Sequence, residues 1–233
     1  MASVITGESG FVGQHLKKDL LPGNFIYNLA SRSSVEESIR APQIVIDNNI
    51  GCMLKYLEQA KRSGDTFVHL STVEASRPSN PYAASKSAQE AIALAYFNTY
   101  GVRVIIARSH NIVGEGQGED KFIPTLIRQI KVGETVNIYG RGSRVYNPVE
   151  NVVSGLQQLA RFGEPGKIYL IGGGERLTNL EMARLVARKL GKPLKYNLVE
   201  GRPGYKKALR GTGLKIPDWL PPKSLEEGLS WIS

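Results

Sequence analysis

The sequence predicts an α/β fold in which a parallel sheet is covered by helices on both faces. Two observations carry that expectation. Short apolar runs alternate with helical stretches through the first half of the chain, the pattern of strands that need crossover helices. A glycine-rich stretch, Thr6-Gly7-Glu8-Ser9-Gly10-Phe11-Val12-Gly13, follows the first apolar run directly. At 233 residues the chain is long enough to bury a real core.

Ser3 to Thr6 reads as the first strand and Phe11 to about Leu20 as the first helix. Phe25-Ile26-Tyr27-Asn28-Leu29-Ala30 is a second strand. A helix follows over about Ile44 to Ser63, with Ile46, Ile50, Met53, Leu54 and Leu57 at helical spacing. Thr66 to Leu70 is a third strand that ends in the polar pair Ser71-Thr72. Tyr82 to Tyr100 is a long helix closed by Gly101, and Val102 to Ala107 is a fourth strand. In such sheets ligands sit at the C-terminal strand ends. Gly7 to Gly13, Ala30 to Ser34, Ser71 to Ser76 and Arg108 to Gly114 all fall there.

The texture changes near residue 111. Helices are expected at Phe122 to Lys131, Val149 to Phe162 and Asn179 to Leu190. Short apolar runs lie at Val136 to Gly140 and Ile168 to Ile171, and Gly201-Arg202-Pro203-Gly204 opens an irregular tail. The expected division is a cofactor-binding domain over residues 1–110 and a smaller substrate lobe over 111–233, interwoven with it. No repeat or low-complexity segment breaks the chain.

The composition is that of a globular protein, 41% hydrophobic and 22% charged. No apolar stretch has the length of a membrane span and no leader pattern opens the chain, so a cytoplasmic protein with no membrane partner is expected. The single Cys52, in the apolar run Ile50 to Leu54, leaves no internal disulfide and no cysteine-based zinc site, and reads as a buried thiol. The net charge of +9 is spread along the chain without basic runs or interleaved aromatics. That argues against nucleic acid and for an anionic small molecule. His15, His69 and His110 lack metal-ligand spacing and read as structural, so no metal is expected.

Two motifs carry chemistry. A glycine-rich turn between a strand and a helix lets backbone N–H groups approach a pyrophosphate at the helix N-terminus. In Tyr82-Ala83-Ala84-Ser85-Lys86 the Tyr and the Lys share one helix face, where an ammonium favours the phenolate and makes Tyr82 a usable base. Together they point to dinucleotide-dependent redox chemistry on a hydroxyl-bearing substrate.

With these motifs in order, the chain resembles the extended short-chain dehydrogenases/reductases, in particular the NAD-dependent nucleotide-sugar epimerase/dehydratase family. Further matches are Tyr27-Asn28-Leu29-Ala30 with Val35, Ser38, Pro42, Asn49 and Gly51, then Ser71-Thr72-Val73-Glu74 and Asn80-Pro81. Later ones are Arg108 to Gly114, Ile138-Tyr139-Gly140 with Arg144, Arg202-Pro203-Gly204, and Ser224 to Leu229. The resemblance implies a Rossmann-like fold, NAD or NADP as cofactor, a nucleotide-diphosphate sugar as substrate, and a homodimer formed through a bundle that includes the Tyr82 helix. It assigns Gly7, Gly10, Phe11, Val12, Gly13, Ala30, Arg32, Tyr82 and Lys86 to the cofactor. Tyr82 would take the proton of a sugar hydroxyl, usually at C4, while Lys86 holds the nicotinamide ribose and Thr72 hydrogen-bonds the hydroxyl. Asn111, Arg144 and Arg202 would bind the diphosphate, for which guanidinium forks are suited.

Glu74 separates the reactions. In the family, Ser-Thr-x-Glu belongs to dehydratases and decarboxylases, where the Glu abstracts the C5 proton that a 4-ketone acidifies. The preceding position, often an Asp acid in dehydratases, is Val73. Glu74 as a solvated loop carboxylate stays open. The reading is a 4,6-dehydratase-type enzyme, with a 4-epimerase as first alternative, a decarboxylase as second, and a non-catalytic sugar-nucleotide binding protein as a different class.

One departure matters most. A dinucleotide unit carries an acidic residue about 20 residues past the glycines, at the end of its second strand, to hold the adenosine ribose. Either Phe25 to Ala30 is that strand, with Arg32 replacing the acid and favouring the 2′-phosphate of NADP, or it is the family's fourth strand and the second and third are missing. The residues after Ala30 match the segment that succeeds the fourth strand, which favours deletion. The first strand would then be a sheet edge, and the adenine pocket would lose its walls. Glu8 would add a like charge near the pyrophosphate.

Overall fold

A computed structural model describes residues 3–139, 142–201 and 210–233. The chain runs β1 (Val4–Thr6), α1 (Phe11–Lys18), β2 (Phe25–Asn28), α2 (Val35–Arg40), α3 (Pro42–Ser63) and β3 (Thr66–Thr72). A 3-10 turn (Val73–Ser76) leads to α4 (Pro81–Tyr100), β4 (Val104–Ser109), β5 (Asn111–Val113), α5 (Phe122–Lys131), β6 (Val136–Tyr139) and β7 (Ser143–Pro148). Then come α6 (Val149–Phe162), β8 (Ile168–Leu170), β9 (Glu175–Thr178), α7 (Asn179–Lys189), β10 (Tyr196–Val199) and α8 (Leu225–Gly228).

The long helices are delimited by local chemistry. For α4, the Asn80 side chain accepts from Ala83 N at 2.8 Å, Pro81 fills the first position, and Gly101 closes the helix at φ +69°. α3 likewise starts on a Pro and ends on Gly64 at φ +75°. α2 and α8, shorter than the sequence signal resolves, are additions to the expected elements, as are β5, β7, β9 and β10.

The main sheet is parallel and five-stranded, in the order β1-β2-β3-β4-β8. This decides between the two readings of Phe25 to Ala30. A second strand of a doubly wound sheet lies outside the first one, leaving the first between it and the fourth. Here β2 lies between β1 and β3, in the fourth strand's place, and β1 is the edge. Among the described residues no strand lies outside it, so Arg32 does not end a second strand.

The helices record the same event. Leu16 of α1 packs with Val152, Leu156 and Leu159 of α6 on one face of the sheet. Met53, Leu57 and Ala60 of α3 and Ala93 of α4 pack on the other. The units β1–α1–β2, β2–α3–β3 and β3–α4–β4 all step the same way across the sheet, yet only the first has its helix on the α6 face. Its hand is therefore opposite to the other two. Because such connections are right-handed in about 98% of cases, β1–α1–β2 is the exception. Removing two strands from a doubly wound sheet leaves this behind, since α1 keeps its face while its destination moves to the other side of β1.

The second lobe holds a two-stranded sheet (β10-β6) and a three-stranded one (β5-β7-β9), around a core that includes Leu126, Ile130, Ile138, Met182 and Val186. Between visits to this lobe the chain returns to the first domain. α6 lies on the main sheet and β8 completes it, so residues 149–170 belong structurally with the first domain.

Candidate functional site

A cleft of about 680 Å³ opens at the C-terminal ends of the main strands, between the sheet and the second lobe. Its floor is the turn after β1. Gly7 adopts φ +70°, and a Cβ there would lie 2.9 Å from Ala30 Cα. A Cβ on Gly13 would lie 2.2 Å from Gly7 O, so α1 meets the turn at a spacing only glycine allows. Gly10 caps α1 with no side-chain hydrogen bond, which leaves the first helical N–H groups for an anion. Glu8 is outside this floor. Its carboxylate is exposed and pairs with Lys17 at 3.2 Å, and it does not line the cleft, so the expected like charge at the pyrophosphate is displaced.

A polar ladder fixes the strand ends behind the floor. Thr6, Asn28 and His69 are in register on three adjacent strands. Thr6 Oγ1 donates to Asn28 Oδ1 at 3.1 Å and accepts from the N–H groups of Leu29 and Ala30, both at 3.0 Å. Asn28 Nδ2 lies 2.9 Å from His69 Nδ1, and with the amide nitrogen donating, the His69 proton sits on Nε2. His69 is structural, as expected, and burial, then the Lys86 charge, pulls its pKa well below 6.5.

Thr72, Glu74, Tyr82 and Lys86 line the same cleft. Thr72 ends β3, and its Oγ1 accepts from Glu74 N at 3.3 Å, starting the 3-10 turn that presents Glu74. Asn80 Nδ2 donates to Glu74 Oε2 at 3.5 Å, so the carboxylate is held in the cleft. This disfavours the solvated-loop alternative. Val73 is buried, as its side chain requires. Lys86 is 3% exposed and donates to Leu70 O at 2.8 Å. Burial lowers its pKa from 10.5 to about 7, and the carboxylate of Glu90, one turn further along α4, acts in the opposite sense. Glu90 is itself held by Ser71 Oγ at 2.6 Å and by Arg108 Nε at 2.8 Å.

The expectation that Lys86 lowers the Tyr82 pKa is corrected here. In the chain alone Tyr82 is raised above 10, first by burial and then by the charge of Glu74. Burial of the phenolate, not the charge of Lys86, sets the direction.

Gly7, Gly10, Phe11, Val12, Gly13, Ala30 and Arg32 all reach the cleft, and so do Asn111 and Arg144 from the second lobe. The Arg32 guanidinium pairs with Glu37. Arg202 lies outside the described residues, as does Gly140. Sequence reasoning missed several residues of the cleft wall, among them Asn48, Gln117, Lys121 and Tyr146 as well as Cys52 and His110. Cys52, expected to be buried, is half-buried and lines it. His110 also lines it, and burial lowers its pKa to about 4. Its place next to Asn111, just past the end of β4, was the available signal. Among the described residues no cluster of His, Cys, Asp and Glu could hold a metal, and no helix is long and apolar enough to cross a membrane.

Comparisons with known proteins agree with this fold. The chain is 30% identical over 224 residues to a low-salt glycan biosynthesis protein of Haloferax volcanii, covering 88% of this chain and 72% of that one. It is 31% identical over 196 residues to a dTDP-glucose 4,6-dehydratase of Streptomyces niveus, covering 76% of this chain but only 58% of the relative. The fold superposes on a dTDP-glucose 4,6-dehydratase of Streptomyces venezuelae solved with NAD bound, at a TM-score of 0.92 and 24% identity, over 100% of this chain and 95% of that one. The sequence profile of the NAD dependent epimerase/dehydratase family matches residues 22–172, and it is to this family that the chain belongs.

Proposed function

We propose that the chain is an NAD-dependent nucleotide-sugar enzyme that oxidises C4 transiently and eliminates water across C5 and C6, a 4,6-dehydratase-type reaction. The observation that carries this is Glu74, the only carboxylate among the described residues lining the cleft, held beside Thr72 and on the same wall as Tyr82 and Lys86. The glycine floor and the buried ammonium fit the pyrophosphate and nicotinamide ribose of NAD, and bound NAD supplies the hydride acceptor and donor with a cationic ring. Lys86 would hold the nicotinamide ribose, and its charge, with that of the ring, opposes the burial that raises Tyr82. Tyr82 then accepts the C4 hydroxyl proton while the Thr72 hydroxyl, free to donate, orients the same oxygen.

The resulting 4-ketone acidifies the C5 hydrogen, and Glu74 takes that proton. The electron pair left at C5 forms the C5=C6 bond and expels the C6 hydroxyl. That leaving group needs a proton, which buried Val73 cannot give, so the same Glu74 carboxyl returns it and water departs. Reduction at C6 is the chemistry that bound NAD would supply. C5 would then take a proton from solvent through Glu74, whose own proton left with the water, and Tyr82 would release the C4 hydroxyl proton to solvent. The diphosphate lies against Asn111 and Arg144, and a homodimer forms through the face that includes α4, where Ala91 and Ala95 are exposed.

Val73 also favours a second reading, a 4-epimerase, which needs no acid at C6. Turnover of a nucleotide-sugar panel in heavy water separates them. Deuterium at C5 with loss of the C6 hydroxyl is the expected result. Inversion at C4 with C5 unlabelled would replace the dehydratase with the epimerase, and release of carbon dioxide from a 6-carboxylate sugar would indicate a decarboxylase. Tyr82→Phe should lower turnover by at least about 100-fold while ligand binding persists. Turnover unaffected by that change would remove the catalytic role.

A further inference from the structure

We propose that this chain recognises its dinucleotide through the nicotinamide-ribose-pyrophosphate half and leaves the adenosine half in solvent, an inference that rests on the cofactor site proposed above. The shared half of the site is complete. The floor made by Gly7, Gly10 and Gly13 presents unsatisfied helix N–H groups, and Lys86 stands buried at the nicotinamide end.

The adenosine half is not. In a doubly wound sheet its far wall is the strand outside β1, and the acidic residue ending that strand takes the ribose hydroxyls. Here β1 is the sheet edge, and among the described residues no strand lies beyond it. Only residues 19–24 separate α1 from β2, too few to supply a strand and its return. The β2 end offers Arg32 where an acid would serve, with its guanidinium committed to Glu37. Glu74, the only cleft-lining carboxylate among the described residues, belongs to the opposite end. Among the described residues an adenosine would meet Ser31 to Val35 with Asn48, and Lys121, whose Nζ donates to Ser33 O at 3.5 Å; no strand stands beyond β1 as the far wall, and no cleft carboxylate faces the ribose hydroxyls. A stacked, desolvated base is what adds affinity at such a subsite, and half a pocket leaves it hydrated.

The two halves of NAD are separate molecules, nicotinamide mononucleotide (NMN) and AMP, so the proposal is tested directly on the full chain by calorimetric titration. NMN should bind about tenfold or more tighter than AMP. Lys86→Met should weaken NMN and NAD by similar factors and leave AMP unchanged. Saturation-transfer NMR on bound NAD gives a second readout, with strong transfer to the nicotinamide protons and weak transfer to adenine H2 and H8. AMP binding as tightly as NMN, or equal transfer to both rings, would overturn the proposal and leave the cofactor site standing. Failure of NAD and of both halves to bind at millimolar concentration would remove the cofactor site and this inference together.

Discussion

Burial holds Lys86 near a pKa of about 7 against 10.5 in an open chain, and pulls the His69 pKa well below 6.5. Both shifts are statements about stability. Between pH 7 and 10.5 the unfolded chain binds a proton at Lys86 that the folded chain has lost, so stability rises with pH across that window. The cost is fully present below pH 7, where the displacement from 10.5 to about 7 amounts to on the order of 5 kcal/mol. Below pH 6.5 the unfolded chain also binds a proton at His69 that the folded one refuses, so stability falls further as the medium acidifies. Urea unfolding at pH 5.5, 7 and 9.5 should show a monotonic rise. Lys86→Met should be more stable than the native chain at pH 7 by about 1–4 kcal/mol, as hydrophobic replacements of buried charges are, and the gap should close by pH 10. A variant less stable than the native chain at pH 7 would show that the bond to Leu70 O outweighs the desolvation. The Tyr82–Lys86 pairing was legible in the sequence because it spans one helical turn. The upward shift of Tyr82 was not, because it depends first on burial and then on Glu74, both of which tertiary structure brings about.

Helix α4 carries both the chemistry and its anchor. Its Tyr82 and Lys86 face the cleft, while Glu90 fastens it to β3 through Ser71 and to β4 through Arg108, with the Glu90 and Arg108 side chains 6% and 11% exposed. Removing one partner of a buried pair leaves an uncompensated charge. Arg108→Met should therefore destabilise the chain by about 3–5 kcal/mol in equilibrium unfolding, and Glu90→Gln combined with Arg108→Met should recover part of that loss. A single-variant loss below about 1 kcal/mol, the range of surface pairs, would show that the pair is solvated. The long helices could be read because their ends are punctuated locally, by Asn80-Pro81 and Gly101 for α4. The strands β5, β7 and β9, each of 3 to 6 residues, could not. Their pairing partners lie tens of residues away, and no alternation survives over so short a run.

At the scale of the molecule, the missing strands were legible only because the residues after Ala30 match the segment that succeeds a different strand of the family. The reversed hand of β1–α1–β2 was not, since a sequence does not state which face a helix takes. The interweaving of the lobes has a consequence for folding. Each lobe has its own hydrophobic core, in the first the main sheet with α1 and α6 on one face and α3 and α4 on the other, in the second the packing around α5, α7 and β6. A chain divided near residue 111 would let each melt alone. Here, however, the chain passes from the sheet to the second lobe after β4, back through α6 and β8, and out again to β9. The second lobe also loses its last turn of chain if the sheet opens, because Asn151 of α6 holds Gly173 O at 3.3 Å and Lys223 O at 2.8 Å, and Lys223 N returns a bond to Asn151 Oδ1 at 2.9 Å. Neither core can be released without breaking α6 from its neighbours, so the two should unfold together. Differential scanning calorimetry should give one transition whose calorimetric and van't Hoff enthalpies agree. Asn151→Leu, which removes these three bonds and the one to Asn147 Oδ1, should split or broaden that transition while both lobes remain folded at 25 °C. Two resolved transitions in the native chain would show that α6 does not couple the cores.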